Sequence, residues 1–78
     1  MNAKQRKVLD EVFSQLEEII SKLEPIGVEE QEKFDNLSDN LQQTEKGRKM
    51  EENASALDEA VSNLQEALSA VDNAREEQ

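Results

Sequence analysis

The chain has 78 residues, a formal net charge of −10, 36% charged residues and 3% aromatic residues. It contains no cysteine and no histidine, which excludes disulfides, thiolate chemistry and the commonest metal ligand and general base. The length fits one domain, and no apolar run approaches the roughly 20 residues that cross a bilayer. These limits argue against a catalyst or a membrane protein and do not identify a function.

The first half of the chain has the pattern of a long helix. Large apolar residues recur in alternating steps of three and four, at Leu9, Val12, Leu16, Ile19, Leu23 and Ile26. This spacing is a heptad seam. Val8, Phe13 and Ile20 lie beside it, so the apolar side of this helix is wider than one partner helix covers. Pro25 either bends or breaks the helix, because proline lacks the backbone donor. Since the second half predicts a helix of similar length, we expect one bent helix over residues 3–36.

The linker, residues 37–43, is rich in Asn, Asp and Ser, which are typical of turns because their side chains bond to nearby backbone groups. Thr44 is a predicted N-cap, and Glu45 complements the helix dipole in the first turn. Leu37 and Leu41 are predicted to cover the open end of a helical hairpin.

The second helix is predicted over residues 44–76. Its large seam contains Met50, Ala54, Leu57, Val61, Leu64, Leu68 and Val71. A second stripe keeps the same heptad phase, at Ala56, Ala60, Asn63, Ala67, Ala70 and Ala74. The alternative is that these alanines serve only as good helix formers. Because they keep heptad phase, we favour a helix packed on two sides.

These elements predict an all-α fold, a single antiparallel helical hairpin over residues 1–78. Each helix is about 50 Å long at 1.5 Å per residue. A two-helix hairpin of this size buries little apolar surface. We therefore expect a homodimer that closes into a four-helix bundle or coiled coil by two-fold symmetry, with its parallel or antiparallel arrangement left open.

Charge is distributed as an acidic rod with two basic clusters. Residues 1–7 carry three bases and no acid, and residues 46–49 carry three more at Lys46, Arg48 and Lys49. Gly47 lies in the first turn of the second helix, where glycine costs roughly 1 kcal/mol relative to alanine. It either allows close packing of the linker or forms, with the flanking bases, an anion site at a helix start.

No arrangement of residues predicts catalysis or a cofactor. Carboxylate pairs are frequent, but neighbours on an exposed helix face have no pocket. Helical di-iron sites use a Glu-x-x-His motif, which a chain without histidine cannot contain. The linker acids do not have calcium-loop spacing. We expect no enzymatic activity, no metal and no cofactor.

One stretch resembles a known pattern. Residues 29–37 read EEQEKFDNL, residues 41–47 read LQQTEKG, and Met50-Glu51 follows. Together they resemble a family of small acidic helical proteins from tailed phages and prophages, with the pattern E-E-Q-x-x-[FY]-D-N-[LM]-P-x-x-L-Q-x-[ST]-[ED]-[KR]-G-x-x-M-E. The likeness covers roughly residues 29–71, with Ser38 in place of the proline and Pro25 interrupting the first helix.

The resemblance implies a bacterial cytoplasmic setting and a phage or prophage origin. It carries no catalytic residues. It makes the linker a signature that specifies either turn geometry or a binding surface. The signature residues are Phe34, Asp35, Asn36, Leu41, Gln42, Thr44 and Gly47.

Three functions follow, in order of preference. The first is a non-enzymatic module that binds a host or phage protein and inhibits a defence or nucleic-acid-handling factor, since an acidic rod can occupy a basic channel. The second is a small nucleotide- or anion-sequestering protein that uses Lys46, Arg48 and Lys49. The third is a structural component of phage assembly. Direct nucleic-acid binding is disfavoured by charge repulsion.

Overall fold

A computed structural model describes residues 1–76 of the chain. In that range the chain forms three helices, α1 (Ala3–Asp35), α2 (Asp39–Gln42) and α3 (Glu45–Glu76). Helices α1 and α3 pack against each other along a rod with extents of 58 × 15 × 14 Å. The predicted all-α class and the packing of two long helices are confirmed.

Helix α1 is fixed at both ends by local hydrogen bonds. Asn2 and Gln5 form a capping box, in which the Gln5 N–H donates to Asn2 Oδ1 at 2.8 Å and the Asn2 N–H donates to Gln5 Oε1 at 3.2 Å. This pair satisfies backbone donors that have no partner within the helix. At the other end the Asn36 N–H donates to the Glu32 carbonyl at 3.0 Å. The helix therefore ends at Asp35, one residue before the predicted boundary.

Pro25 does not break α1, which continues through it as one helix. The proline is exposed, so its ring lies on the solvent side, away from α3. There the Ser21 carbonyl, which receives no N–H from Pro25, can bond to water instead. The alternative of two separate helices meeting near Glu24 is thus excluded.

The seam between α1 and α3 agrees with the predicted one in part, since Leu9, Val12, Leu16 and Leu23 are half-buried. The buried hydrophobic residues of the described chain are Ile20, 6% exposed, and Ala54, 3% exposed. Ile19 and Ile26, both predicted on the seam, are 43% and 51% exposed. The contact passes through Ile20 and Gly27 together with the half-buried Leu16 and Leu23. A Cβ added at Gly27 would lie 3.4 Å from Leu57 Cβ, an ordinary contact with α3.

The predicted linker is partly helical. Ser38 caps the short helix α2 and accepts a hydrogen bond from the Leu41 N–H at 3.3 Å. Helix α3 then begins at Glu45, one residue after the predicted start. Leu37 is half-buried, but Leu41 is 52% exposed. The prediction that Leu41 covers the end of the hairpin is wrong, because α2 turns its side chain outward.

Candidate interaction surfaces

One long side of the hairpin is an open groove of about 700 Å³ with both charged and apolar residues in its walls. It is lined from both helices by Glu24, Gly27, Val28, Gln31, Glu51, Ala54, Ser55 and Asp58, among others. We call this side the acidic groove. Its lining shows that the α1 flank containing Glu24 and Val28 lies beside the α3 flank containing Ser55 and Asp58.

The opposite long side is apolar. A helix turns 100° per residue, so Ile19 and Ile26 lie on the flank of α1 opposite Glu24 and Val28. By the same geometry the alanine stripe lies on the flank of α3 opposite the acidic groove. We call this side the apolar face, formed by Val8, Val12, Ile19, Ile26, Ala56, Ala60, Ala67, Ala70 and Ala74, with Asn63 as the polar member of the alanine stripe. The large residues and the alanines, which the sequence places on separate helices, therefore share one surface.

The apolar face is open to solvent. Val8 is 50%, Ile19 43% and Ile26 51% exposed, and Ala56, Ala67 and Ala70 are also exposed. Exposed apolar side chains that share one side of a protein are typical of interaction sites.

The apolar face has limits along the rod. Gly27 lies beside Leu57, and Arg75 reaches Asp10 near the free ends. This register puts the α1 part of the face, residues 8–26, level with residues 58–76 of α3. Towards the linker the same flanks continue as charged residues: Glu30, Lys33 and Lys49.

Gln42 ties the linker to the end of α1. Its side-chain amide donates to the Phe34 carbonyl at 3.1 Å and to the Leu37 carbonyl at 3.3 Å. Carbonyls in the last turn of a helix have no partner within the helix, so this side chain acts as a C-terminal cap. Gln42 is half-buried, as is Phe34. This signature glutamine therefore has a role in turn geometry.

Thr44 and Gly47 set the start of α3. The Thr44 hydroxyl donates to the Leu41 carbonyl at 2.6 Å and accepts from the Gly47 N–H at 3.2 Å. Gly47 is buried, and a Cβ built there would collide with the Leu41 carbonyl oxygen and lie 2.7 Å from that of Gln42. Thr44 has the predicted N-cap position, and Gly47 is needed so that the linker can pack on the helix start.

The remaining signature and basic residues lie at the surface. Lys46, Arg48 and Lys49 are exposed, as are Asp35 and Asn36. Asp35 accepts a hydrogen bond from the Gln31 side chain at 2.9 Å, within α1. The Gly47 N–H, which an anion at this helix start would use, already donates to Thr44.

A cluster at the free ends of the hairpin is not predicted by the sequence pattern. The Arg75 guanidinium lies 3.7 Å from the Phe13 ring centroid, 2.9 Å from Asp72 Oδ1 and 3.3 Å from Asp10 Oδ1. The hydrogen bond with Asp72 is the main cause that raises the pKa of Arg75 above its ordinary value. In the sequence, only composition points to these residues: Arg75 is the single basic residue after Lys49, and Phe13 is one of two aromatic residues.

Metal-binding clusters and membrane-spanning helices were sought among residues 1–76. Within residues 1–76, no group of three or more acidic side chains is placed to hold a metal ion. No helix in this range is long and apolar enough to cross a membrane.

Comparison with known proteins gives no assignment. No family model, no curated protein and no solved structure matches the chain. The resemblance to phage and prophage proteins stays a prediction.

Proposed function

We propose that the chain is a non-enzymatic protein–protein interaction module of phage or prophage origin that acts as a homodimeric four-helix bundle in the bacterial cytoplasm. The observation that supports this most is the apolar face. The hairpin buries two hydrophobic residues among residues 1–76, while Val8, Ile19 and Ile26 each expose close to half of their surface. A second helical layer would cover them and supply the core that one hairpin lacks.

The acidic exterior supports the second part of the proposal, that the dimer binds a partner protein. With a net charge of −10, the rod attracts proteins that carry a strongly basic surface. A channel that normally binds the nucleic-acid backbone has that character. The proposed partner is therefore a host defence or nucleic-acid-handling factor that the rod occupies and inhibits.

The two alternative functions gain no support of their own. Anion sequestration by Lys46, Arg48 and Lys49 depended on Gly47 as part of a site, and the contacts of Gly47 with the linker account for that glycine through packing. A structural role in phage assembly has no specific observation in its favour.

Self-association is tested by placing a charge on the apolar face. Ile19→Glu puts a carboxylate where a second layer would pack, and it should give a helical monomer because Ile19 is already 43% exposed in the hairpin. The matched control is Ser21→Glu, which adds the same charge at an exposed position on the far side of α1 and should leave the dimer intact. Light scattering at several concentrations gives the masses, and equal masses for the two variants would contradict the proposal.

Partner binding is tested by pull-down from bacterial lysates. The proposal expects a basic protein to be retained at low salt, released as screening increases, and displaced by competing duplex DNA. A rod in which Glu51, Glu52, Asp58 and Glu59 are changed to Gln or Asn is the control and should retain less. Capture that is insensitive to salt, DNA and these substitutions would argue against a basic channel as the target.

A further inference from the structure

We propose that the second copy docks apolar face to apolar face with its two-fold axis along the rod. Both linkers then lie at one end of the bundle, and α1 of each copy packs on α3 of its partner. This inference rests on the proposed homodimer and specifies its arrangement.

The first support is the shape of the apolar face. Its α1 edge carries branched side chains, such as Ile19 and Ile26, and its α3 edge carries alanines, such as Ala60 and Ala67. With the axis along the rod, the partner's α3 lies over α1, so large residues meet small ones and the layers interdigitate evenly. With the axis across the rod, α1 meets α1 and α3 meets α3, which leaves one seam crowded and the other narrow. Close-packed cores favour the first arrangement.

The second support is the position of the apolar face along the rod. The face occupies residues 8–26 of α1 and is displaced towards the free ends on α3, where it begins at Ala56. When the two copies point the same way, the apolar residues at each height of one rod lie opposite the apolar residues of the other. Copies that point in opposite ways overlap over the same residues only when the two rods slide along each other, which leaves each charged linker end, with Lys33 and Lys49, at or beyond the partner's free end. The same-way arrangement therefore covers the apolar face while the two rods stay level.

The area lies at the lower limit for a specific dimer. The region from residue 8 to residue 26 is about 27 Å long at 1.5 Å per residue, and two helices of about 10 Å diameter give a width of about 20 Å. Each copy thus contributes roughly 500 Å², and the pair buries roughly 1,000 Å² before the rim is counted, which reaches the size of a specific interface.

The test measures the distance between the two linkers. Because the chain has no cysteine, Asn40→Cys gives one labelling site, in α2 and exposed, for a nitroxide and pulsed electron paramagnetic resonance. The proposed arrangement predicts a distance below about 25 Å, since helices in a bundle lie 8–10 Å apart. A distance near 50 Å, the length of the helices, overturns the arrangement but leaves the dimer. A chain that light scattering shows to be monomeric overturns the proposed function as well.

Cross-linking checks the helix pairing directly. Ile19 and Ala67 lie at nearly the same level of the rod, one on each edge of the apolar face. A mixture of Ile19→Cys and Ala67→Cys chains should form a disulfide-linked heterodimer under mild oxidation, while each variant alone should form little. Efficient linkage of Ile19→Cys to itself, with none in the mixture, would place α1 on α1 and overturn the inference.

Discussion

Alanine at Gly47 and at Gly27 should have opposite effects on stability, although both glycines lie inside helices. Replacing a helical glycine with alanine ordinarily stabilises by about 0.5–1 kcal/mol. At Gly27 the new Cβ would be 3.4 Å from Leu57 Cβ, an ordinary contact, so Gly27→Ala should show that gain. At Gly47 the new Cβ would meet the backbone of Leu41 and Gln42, with the Gln42 carbonyl carbon at 2.9 Å.

The expected loss at Gly47 can be estimated from these contacts. A backbone obstacle cannot rotate away as a side chain would, so the linker must shift, at a cost of about 1–3 kcal/mol for overpacking. The shift also weakens the Gln42 and Thr44 hydrogen bonds, each worth about 1 kcal/mol. Once the gain in helix propensity is subtracted from these losses, Gly47→Ala should lower the free energy of unfolding by about 2–3 kcal/mol. This change lowers Tm by roughly 10–20 °C in a domain of this size.

Thermal unfolding followed by circular dichroism at 222 nm, at one fixed protein concentration, measures both variants. Concentration must match because association itself adds stability. Wild-type stability or better for Gly47→Ala would refute the close approach of the linker to α3, and the Gly27→Ala control shows whether the helix-propensity gain is realised in this chain.

Three further substitutions test other contacts by the same unfolding assay. Gln42→Ala removes the two hydrogen bonds from the Gln42 side chain and should lower the free energy of unfolding by about 1–2 kcal/mol. Gln43→Ala, at the exposed neighbouring position, should leave it nearly unchanged. Equal effects of the two substitutions would contradict the capping role of Gln42. Pro25→Ala should raise the free energy of unfolding by about 1–3 kcal/mol, because an exposed helix-interior proline is disfavoured by about 3 kcal/mol. No gain would mean that Pro25 itself stabilises α1. Arg75→Met should lower Tm more than Lys22→Met. Arg75 contacts two carboxylates and an aromatic ring, while the Lys22–Glu18 ion pair is exposed and lies within α1. The reverse order would show that the contacts of Arg75 do not hold α1 and α3 together.

Heptad spacing and capping residues predicted most of the fold, because they act locally. The alternation of apolar residues located both long helices, and Thr44 marked the start of α3 to within one residue. The choice between one helix and two at Pro25 was resolved by matching the lengths of the two halves. That reasoning succeeded because proline on the solvent side of a helix leaves its carbonyl partner accessible to water.

The seam of α1 was not predictable from apolar spacing alone. The heptads offer Ile19 and Ile26 on one line and Phe13 and Ile20 on another, and the second line continues through a glycine that contributes no hydrophobicity. What selects it is the packing of Ile20 and Gly27 against α3, which apolar spacing within α1 does not show. Consequently Ile19 and Ile26 became the exposed edge of the apolar face, while the other predicted seam residues, Leu9, Val12, Leu16 and Leu23, are half-buried.

The candidate site was predicted in part. The alanine stripe was recognised as a possible second packing surface, but its position beside the exposed isoleucines depends on how α1 and α3 rotate against each other. Gln42 was identified only through the resemblance, since a glutamine that caps carbonyls five and eight residues away has no local signature. Arg75 likewise meets Asp10 across the hairpin, beyond the reach of periodicity.

Sedimentation equilibrium of the wild-type chain across concentrations tests the central claim most directly. Covering the apolar face with a second copy predicts a mass of twice 8.8 kDa at tens of micromolar, with dissociation on dilution. A helical species that keeps the single-chain mass at every concentration would contradict the claim that the apolar face is a self-association surface.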